Sequence, residues 1–248
     1  MIYDLQKASV LKRISAYIFD VIMLITMVVL FAWLLSGMLG MDAHLDTMNS
    51  AYDKYGDMYQ VDLRATERAA ELEAQYNEAE SALYADQEFV YAYSMSMQMS
   101  LMIVSLSVLF GHLVMEVGIP LLFRNGQTLG KKCFGIGVMN IEGVKLRGVD
   151  LFIRAILGKY TIETMIPILL IYMIFFNGLG MTGLILIVLI LVLQIGLMIG
   201  THNNAAIHDV MAKTVAVDLA SQMIFDTREQ MIEYKKKAHA SMVANQRA

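Results

Sequence analysis

The sequence predicts an all-α membrane protein: a bundle of four transmembrane helices, both termini cytoplasmic, with an extracytoplasmic helical insertion between helices 1 and 2. Three observations predict this class. The 248 residues are 57% hydrophobic and only 17% charged, whereas soluble domains carry about 25% charged residues. Four segments are apolar over the roughly 20 residues needed to cross a bilayer. Lysine and arginine are unevenly divided among the connections, and this division predicts the orientation.

The first span is predicted at about residues 14–39, after a basic flank that includes Arg13. It is longer than the apolar core of a signal peptide, about 7–15 residues, so we expect a retained helix. The other spans are predicted at about 95–123, 151–176 and 181–200. The link FNGLG at 176–180 is short and rich in glycine, which predicts that the last two spans form an antiparallel hairpin.

The connection after the first span is acidic, and the other connections are basic. Between Gly40 and Tyr93 lie 12 of the 23 acidic residues but 3 of the 19 lysines and arginines. Seven basic residues lie between Arg124 and Lys159, and six follow Gly200. The positive-inside rule therefore places the acidic segment outside, in a multi-pass protein of the bacterial cytoplasmic (inner) membrane. The predicted segments are 1–39 (flank and helix 1), 40–94 (insertion), 95–123 (helix 2), 124–150 (cytoplasmic loop), 151–200 (helices 3 and 4) and 201–248 (cytoplasmic tail).

The acidic insertion has a helical pattern. Small or apolar residues recur three to four positions apart from Ala69 to Leu83, which is typical of one helical face. No proline or glycine follows Gly56 there, so we expect a helix from about Val61 that continues into the second span. The apolar stripe is thin and needs a partner: the first half of the insertion, the membrane surface or a second copy. A solvated acidic helix and a funnel that concentrates cations both fit this pattern.

The loop after the second span contains GQTLGKK, at residues 126–132. A nucleotide P-loop has four residues between its glycines and a Ser or Thr after its lysine, and this motif has neither, so the pattern argues against nucleotide binding. The stretch GIGVMNIEGVKL, 135–146, predicts a short hairpin around the Glu-Gly turn. Asp150 is predicted to be the N-cap of the third helix.

Each predicted span carries one polar residue at nearly the same depth. Counted from the cytoplasmic ends, these residues lie roughly 10–13 Å inside. They are Asp20, Glu116, Lys159 and Gln194. Ionisable groups within a membrane usually face the protein interior, pair with one another and mark functional sites. We therefore predict a polar layer in which Asp20 is not exposed to lipid but faces Lys159, Arg13 or Arg154.

Further ionisable residues flank this layer. Glu163 follows Lys159 by four residues, a spacing that allows the two to pair on a helix. Arg13 and Arg154 lie at the inner rim, where long side chains can reach inward. Two interpretations remain open: a layer that binds an ion or substrate, or fixed pairs that set the helix register. The candidate ion- or substrate-binding residues are Asp20, Glu116, Lys159, Glu163 and Gln194.

Three motifs, in this order, resemble those of the RDD family of membrane proteins. They are Arg13-x-x-Ala16-x-x-x-Asp20, GQTLGK at 126–131, and His208-Asp209 followed by AKTV at 212–215. The arginine and two aspartates of the family name correspond here to Arg13, Asp20 and Asp209. The resemblance covers about 7–39 and 95–218, and it implies the membrane fold; the acidic insertion departs from the compact family pattern. It further implies either transport, including cation/proton antiport, or help in the assembly of partner membrane proteins.

Two functions follow as hypotheses. The first is a small oligomeric cation/proton transporter of antiporter type, in which a monovalent cation and a proton compete for Asp20 and Glu116, near Lys159. The second is a non-catalytic membrane scaffold or assembly factor for partner membrane proteins. Gating or supporting roles are assigned to Arg13, Arg154, His208 and Asp209. We expect contacts with the lipid bilayer and a homo-oligomer, but no nucleic-acid partner, cofactor, metal site or enzymatic activity, because no catalytic or metal-ligand constellation is evident in the sequence.

Overall fold

The computed structural model describes residues 6–123, 126–176 and 178–246. The chain folds as two compact units, one made of Met1–Met27 with Val108–Ala248 and the other of Val28–Ser107. The helices are α1 (Val10–Leu39), α2 (Met41–Tyr59), α3 (Glu73–Ala85), α4 (Gln87–Phe123), α5 (Leu129–Cys133), α6 (Gly148–Phe175), α7 (Gly180–Gly200), α8 (Ile207–Ala212) and α9 (Arg228–Gln246). The strands are β1 (Ile136–Asn140) and β2 (Thr214–Asp218).

Four helices within the described residues, α1, α4, α6 and α7, are long and apolar enough to cross a membrane. The large apolar side chains of α1 and α7 are mostly exposed, for example Ile22, Val29, Leu189 and Ile195. An exposed apolar surface of this extent is stable in lipid rather than in water. The protein is therefore a membrane protein with several spans. The predicted link at 176–180 includes Asn177, which lies outside the described residues.

The insertion forms a helical hairpin with its own core. Tyr76, Ala79 and Leu83 of α3 pack with Ala51 of α2 and with Phe89, the last of which is fully buried. The predicted apolar stripe thus packs against the first half of the insertion, which is one of the three partners expected. Aromatic contacts add to this core, such as the edge-to-face pair of Tyr52 and Phe89, whose ring centroids are 5.4 Å apart.

The prediction of one helix from Val61 into the second span is wrong. Regular α-helix resumes at Glu73 and is interrupted at Asp86, which has an extended backbone. Asp86 Oδ1 accepts hydrogen bonds from the backbone N–H groups of Glu88 at 3.0 Å and Phe89 at 3.4 Å. An aspartate that accepts from the first N–H groups of a helix starts a new helix. As a result, α4 begins at Gln87, before the predicted start near residue 95.

A two-stranded sheet corrects the all-α prediction. β1 pairs antiparallel with β2, and Val138 is opposite Ala216. The predicted hairpin at 135–146 is only partly present: Asn140 N–H donates to the Val144 carbonyl at 2.9 Å, whereas the main partner of β1 comes from the segment after the fourth span. Both strands are buried along most of their length, so their side chains form part of the core.

α6 begins three residues earlier than predicted. Asp150 is not its N-cap; it lies inside the first turn and accepts a hydrogen bond from the Arg147 backbone N–H at 3.2 Å. Beyond this turn, Ile153–Met165 is wound as a π-helix. Two threonine hydroxyls follow the wider winding, since each donates to the carbonyl five residues earlier, Thr161 to Ile156 and Thr164 to Lys159, both at 2.8 Å.

Candidate functional site

Asp209 on α8 accepts hydrogen bonds from several elements at once. Its Oδ2 accepts from Arg13 Nη2 at 3.0 Å, and its Oδ1 accepts from Arg154 Nε at 3.1 Å. The Thr214 hydroxyl donates to Oδ1 at 2.9 Å, and the Ala206 backbone N–H donates to Oδ2 at 3.3 Å. One carboxylate thus connects α1, α6 and the start of β2.

Two guanidinium groups share this carboxylate, and all three side chains are shielded from solvent. The side chains of Asp209, Arg154 and Arg13 are 1%, 4% and 11% exposed. Burial acts to raise the pKa of Asp209, but the charge of His208 in its protonated form at low pH and the attraction of Arg154 and Arg13 outweigh burial and hold the pKa below its ordinary value. The aspartate therefore stays ionised, and its charge balances one of the two arginines.

Asp20 is held by the loop that follows the second span. Its Oδ1 accepts from the Gly130 backbone N–H at 2.8 Å, and its Oδ2 accepts from the Thr128 hydroxyl. Lys131 Nζ lies 3.8 Å from Oδ2. The loop approaches α1 so closely that a Cβ atom at position 130 would lie 2.2 Å from the Ala16 carbonyl oxygen. Glycine is required there because any side chain would collide with the backbone of α1.

Lys131 is the only lysine among the described residues that combines burial with a position beside Asp20. Its Nζ also donates to Thr128 Oγ1 at 3.1 Å. Burial, together with the positive charge of Lys159, lowers the pKa of Lys131 to about 7, although Glu116 and Asp20 act in the opposite direction. The Lys131 side chain can therefore exchange between its ammonium and its neutral amine form near neutral pH while it faces a carboxylate.

The expected pairing of Lys159 with Glu163 is wrong. Lys159 Nζ donates to Glu116 of α4, and Glu163 accepts from the His208 ring Nδ1 at 2.8 Å and from its backbone N–H at 3.1 Å. The π-helical winding explains this difference, because residues four apart no longer lie on one face as they do in an α-helix. Lys159 and Glu163 consequently contact different elements.

The α8 helix packs directly on α6. A Cβ atom at position 158 would lie 2.5 Å from the His208 Cβ, so Gly158 allows this close approach. Burial lowers the pKa of His208, which keeps its ring neutral at physiological pH although Asp209 and Glu163 favour the charged form. On the other side, Gln194 Oε1 of α7 accepts from the Ile207 backbone N–H at 3.0 Å and fixes the start of α8.

A cavity of about 480 Å³ lies between these elements. One part of its wall is polar, and the other part is apolar and belongs to α1 and α7. The polar lining residues are Arg13, Asp20, Lys131, Arg154, Lys159, Gln194 and His208. The apolar lining includes Ile14, Tyr17, Ile195, Met198 and Ile199. The volume is in the range of pockets that bind small organic molecules, about 300–1,000 Å³.

The nine residues selected from the sequence occupy one region. Six of them line the cavity: Arg13, Asp20, Arg154, Lys159, Gln194 and His208. The other three do not line the cavity but accept hydrogen bonds from lining residues: Glu116 from Lys159, Glu163 from His208, and Asp209 from Arg13. Asp20 does not face the expected partners Lys159, Arg13 or Arg154 as an ion pair; its partners are Thr128, Gly130 and Lys131.

Sequence reasoning missed three site residues: Thr128, Gly130 and Thr214. They belong to the motifs GQTLGK and AKTV, which carry the family resemblance. A pairing of Asp209 with Arg13 or Lys131 is also expected from the sequence; the structure pairs Asp209 with Arg13 and places Lys131 beside Asp20. The motif GQTLGK does contain a signal for the contact with Asp20. It offers three kinds of hydrogen-bond donor to a buried aspartate: a backbone N–H at a glycine, a threonine hydroxyl and a lysine ammonium group. In the described part of the chain, no three His, Cys, Asp or Glu side chains form a metal-ligand group.

Comparison with known proteins identifies a family. The model of the RDD family matches residues 7–213, a range that contains Arg13, Asp20, Asp209 and every cavity-lining residue except Ala216. No curated protein and no solved structure matches the chain significantly.

Proposed function

Because the chain belongs to the RDD family and has four helices able to span a membrane, we propose that it is a cation/proton transporter of antiporter type. The observation that carries this proposal is the pair of Asp20 and Lys131. Both side chains line one cavity, their charged atoms are 3.8 Å apart, and the pKa of Lys131 is about 7. A carboxylate with a titratable neighbour is a minimal element for coupling proton and cation binding.

The coupling works by competition for one carboxylate. When Lys131 is neutral, Asp20 has no full positive charge beside it and attracts a monovalent cation into the cavity. When Lys131 takes up a proton, its ammonium group replaces that cation as the counter-ion of Asp20. One proton is bound for each cation released, which is the stoichiometric relation that an exchanger needs.

The remaining polar residues support this pair. Lys159 is neutralised by Glu116, so we assign Glu116 to that ion pair rather than to cation binding. Glu163 and Gln194 position α8 through His208 and Ile207. The buried cluster of Arg13, Arg154 and Asp209 holds the two ends of the site together. We therefore assign this cluster a supporting role or the role of an inner gate, rather than a change of charge during transport.

The orientation and assembly belong to the same proposal. The distribution of Lys and Arg supports cytoplasmic termini and an extracytoplasmic insertion in the bacterial cytoplasmic membrane. Four spans leave little room for a pathway, so we propose a homo-oligomer in the bilayer. The acidic surface of the insertion would then concentrate cations at the outer entrance.

A scaffold or assembly factor for partner membrane proteins is the second candidate. The hydrogen bonding of Asp209 favours the scaffold. This carboxylate accepts hydrogen bonds from four donors, on Arg13, Arg154, Thr214 and Ala206. A network with so many donors resists change and suits a rigid structural element. The two candidates differ in one requirement: only a transporter needs the charge balance at Asp20 to change during its cycle.

The test is cation-driven dissipation of a pH gradient by the purified protein in liposomes, with sodium, potassium and lithium in turn. We expect wild-type protein and Asp46→Asn, which changes an exposed acid of the insertion, to collapse the gradient. Asp20→Asn should give no cation-dependent signal while it remains folded by circular dichroism. Equal signals from Asp20→Asn and wild type would contradict the mechanism. No signal from any variant would favour the scaffold.

A further inference from the structure

The cavity has more positive than negative charge on its wall. Among the described residues that line it, four are basic (Arg13, Lys131, Arg154 and Lys159), and one, Asp20, is acidic. Two more carboxylates pair with these cations from behind: Asp209 with the two arginines and Glu116 with Lys159. At the end of the cavity lined by Arg13 and Arg154, two guanidinium groups share the single carboxylate of Asp209. One positive charge at this end is therefore left without a carboxylate of its own.

The apolar side of the cavity is open to the lipid. Ile14 and Tyr17 of α1 and Ile195 and Ile199 of α7 line it, and each is 45–80% exposed. These helices are two of the four candidate spans, so their exposed apolar side chains meet acyl chains. An occupant can enter sideways from the bilayer, with an apolar tail against the helices and a polar end inside.

One end of the cavity, near Arg13 and Ile199, lies at the depth of lipid headgroups. Arg13 is three residues from the start of α1, and Ile199 is one residue from the end of α7. At 1.5 Å per residue, both lie within roughly 5 Å of the helix ends. Headgroups occupy the layer just outside the hydrocarbon core, which is where the basic lining residues begin.

We propose that this cavity binds an anionic phospholipid, with the phosphate and headgroup against Arg13 and Arg154 and an acyl chain against Tyr17, Ile195 and Ile199. Charge complementarity selects an anionic over a zwitterionic lipid, because only the former supplies the missing negative charge. Guanidinium groups suit this role, since their planar N–H groups match phosphate oxygens. The inference goes beyond the proposed transport activity and does not depend on it.

Fluorescence quenching in vesicles tests this site directly. Trp33, an exposed residue of α1, is first changed to phenylalanine, and Ile199→Trp then gives one reporter at the cavity. Leu193→Trp is the matched control, because position 193 is also exposed on α7 but is not a lining residue. Brominated phosphatidylglycerol and brominated phosphatidylcholine are titrated separately into vesicles of unlabelled phosphatidylcholine.

At position 199 we expect half-maximal quenching at an approximately fivefold lower mole fraction of brominated phosphatidylglycerol, the scale for one basic residue at an anionic surface. At position 193 the two lipids should quench equally. Lys131→Gln should reduce the preference at position 199, whereas Lys12→Gln, which changes a partly exposed lysine outside the cavity, should leave it unchanged. Equal quenching by both lipids at position 199 would overturn the proposal.

A competition experiment separates a bound lipid from a free anion. Inorganic phosphate is added to vesicles that contain brominated phosphatidylglycerol, with potassium chloride at equal ionic strength as the reference. We expect no difference between the two salts, because an acyl chain anchors the lipid. If phosphate alone abolishes the preference at position 199, the cavity takes soluble anions and the lipid assignment is wrong. Neither result depends on transport, so failure here is distinguishable from failure of the exchange assay.

Discussion

Replacement of Asp209 by asparagine keeps the size of the side chain but removes the charge that Arg13 and Arg154 share. The Asp209 side chain is 1% exposed and that of Arg154 is 4% exposed, so water cannot take over the lost interactions. Removal of one partner from a buried ion pair costs about 3–5 kcal/mol. For a chain of this size, each kcal/mol lowers the unfolding midpoint by about 2–4 °C, so we expect a drop of roughly 6–20 °C.

The assay is thermal unfolding of the purified protein in detergent, followed by circular dichroism. Asp218→Asn is the matched control, because Asp218 also accepts from a basic residue, Lys12 at 2.6 Å, but both side chains reach solvent, being 21% and 43% exposed. We expect little change in its midpoint. The reasoning is refuted if Asp209→Asn lowers the midpoint no more than Asp218→Asn does.

The difference in unfolding midpoint between wild type and Asp209→Asn should also depend on pH. The pKa of Asp209 is lowered in the folded protein, so the folded state holds fewer protons than the unfolded state when the medium becomes acidic. Its contribution to stability is fully present above the ordinary value of 3.8 and is lost as the pH falls through the folded value. The gap between wild type and Asp209→Asn should therefore stay constant from neutral pH to about pH 5 and narrow at lower pH.

Three further predictions concern the neighbouring contacts. Gly130→Ala should destabilise the fold by about 1–3 kcal/mol through overlap with the α1 backbone, whereas Gly196→Ala, with open space around it, should not; unfolding midpoints compare the two. Because the pKa of Lys131 is lowered to about 7 from 10.5, wild-type stability should rise between these pH values, and Lys131→Met should lack that rise in pH-dependent unfolding. Glu116→Gln should be less stable than the double variant with Lys159→Met, because the single change leaves one buried charge unpaired; the opposite order in midpoints would contradict the pairing.

The spans and the members of the site could be predicted because membrane physics leaves clear marks in a sequence. Long apolar runs identified the four helices, and the depth of the polar residues identified Asp20, Lys159 and Gln194, all of which line the cavity. The individual partners could not be predicted. Depth places two residues at one level but does not say which side of a helix faces which neighbour, so Asp20 was assigned to the spans rather than to the loop with Gly130.

Two further errors have local physical causes. The sequence does not indicate the helix break at Asp86, because no glycine or proline marks it. The Asp86 side chain instead caps the first backbone N–H groups of α4. The Lys159–Glu163 pair was expected from α-helical spacing, and the π-helical winding of that segment invalidates the spacing. The pairing of β1 with β2 joins stretches about 75 residues apart, and such long-range partners are not specified by local patterns.

Contacts between early and late parts of the chain have a consequence for biosynthesis. Arg13 and Arg154 are made long before Asp209, and β1 long before β2, so a growing chain holds two arginines and one strand edge without their partners. Domains assemble during synthesis as their parts emerge. Until the segment after the last span has folded back, Arg13 and Arg154 lack the carboxylate that pairs with them in the folded protein. A chain that ends before Asp209 therefore retains two arginines without their carboxylate and an unpaired edge on β1.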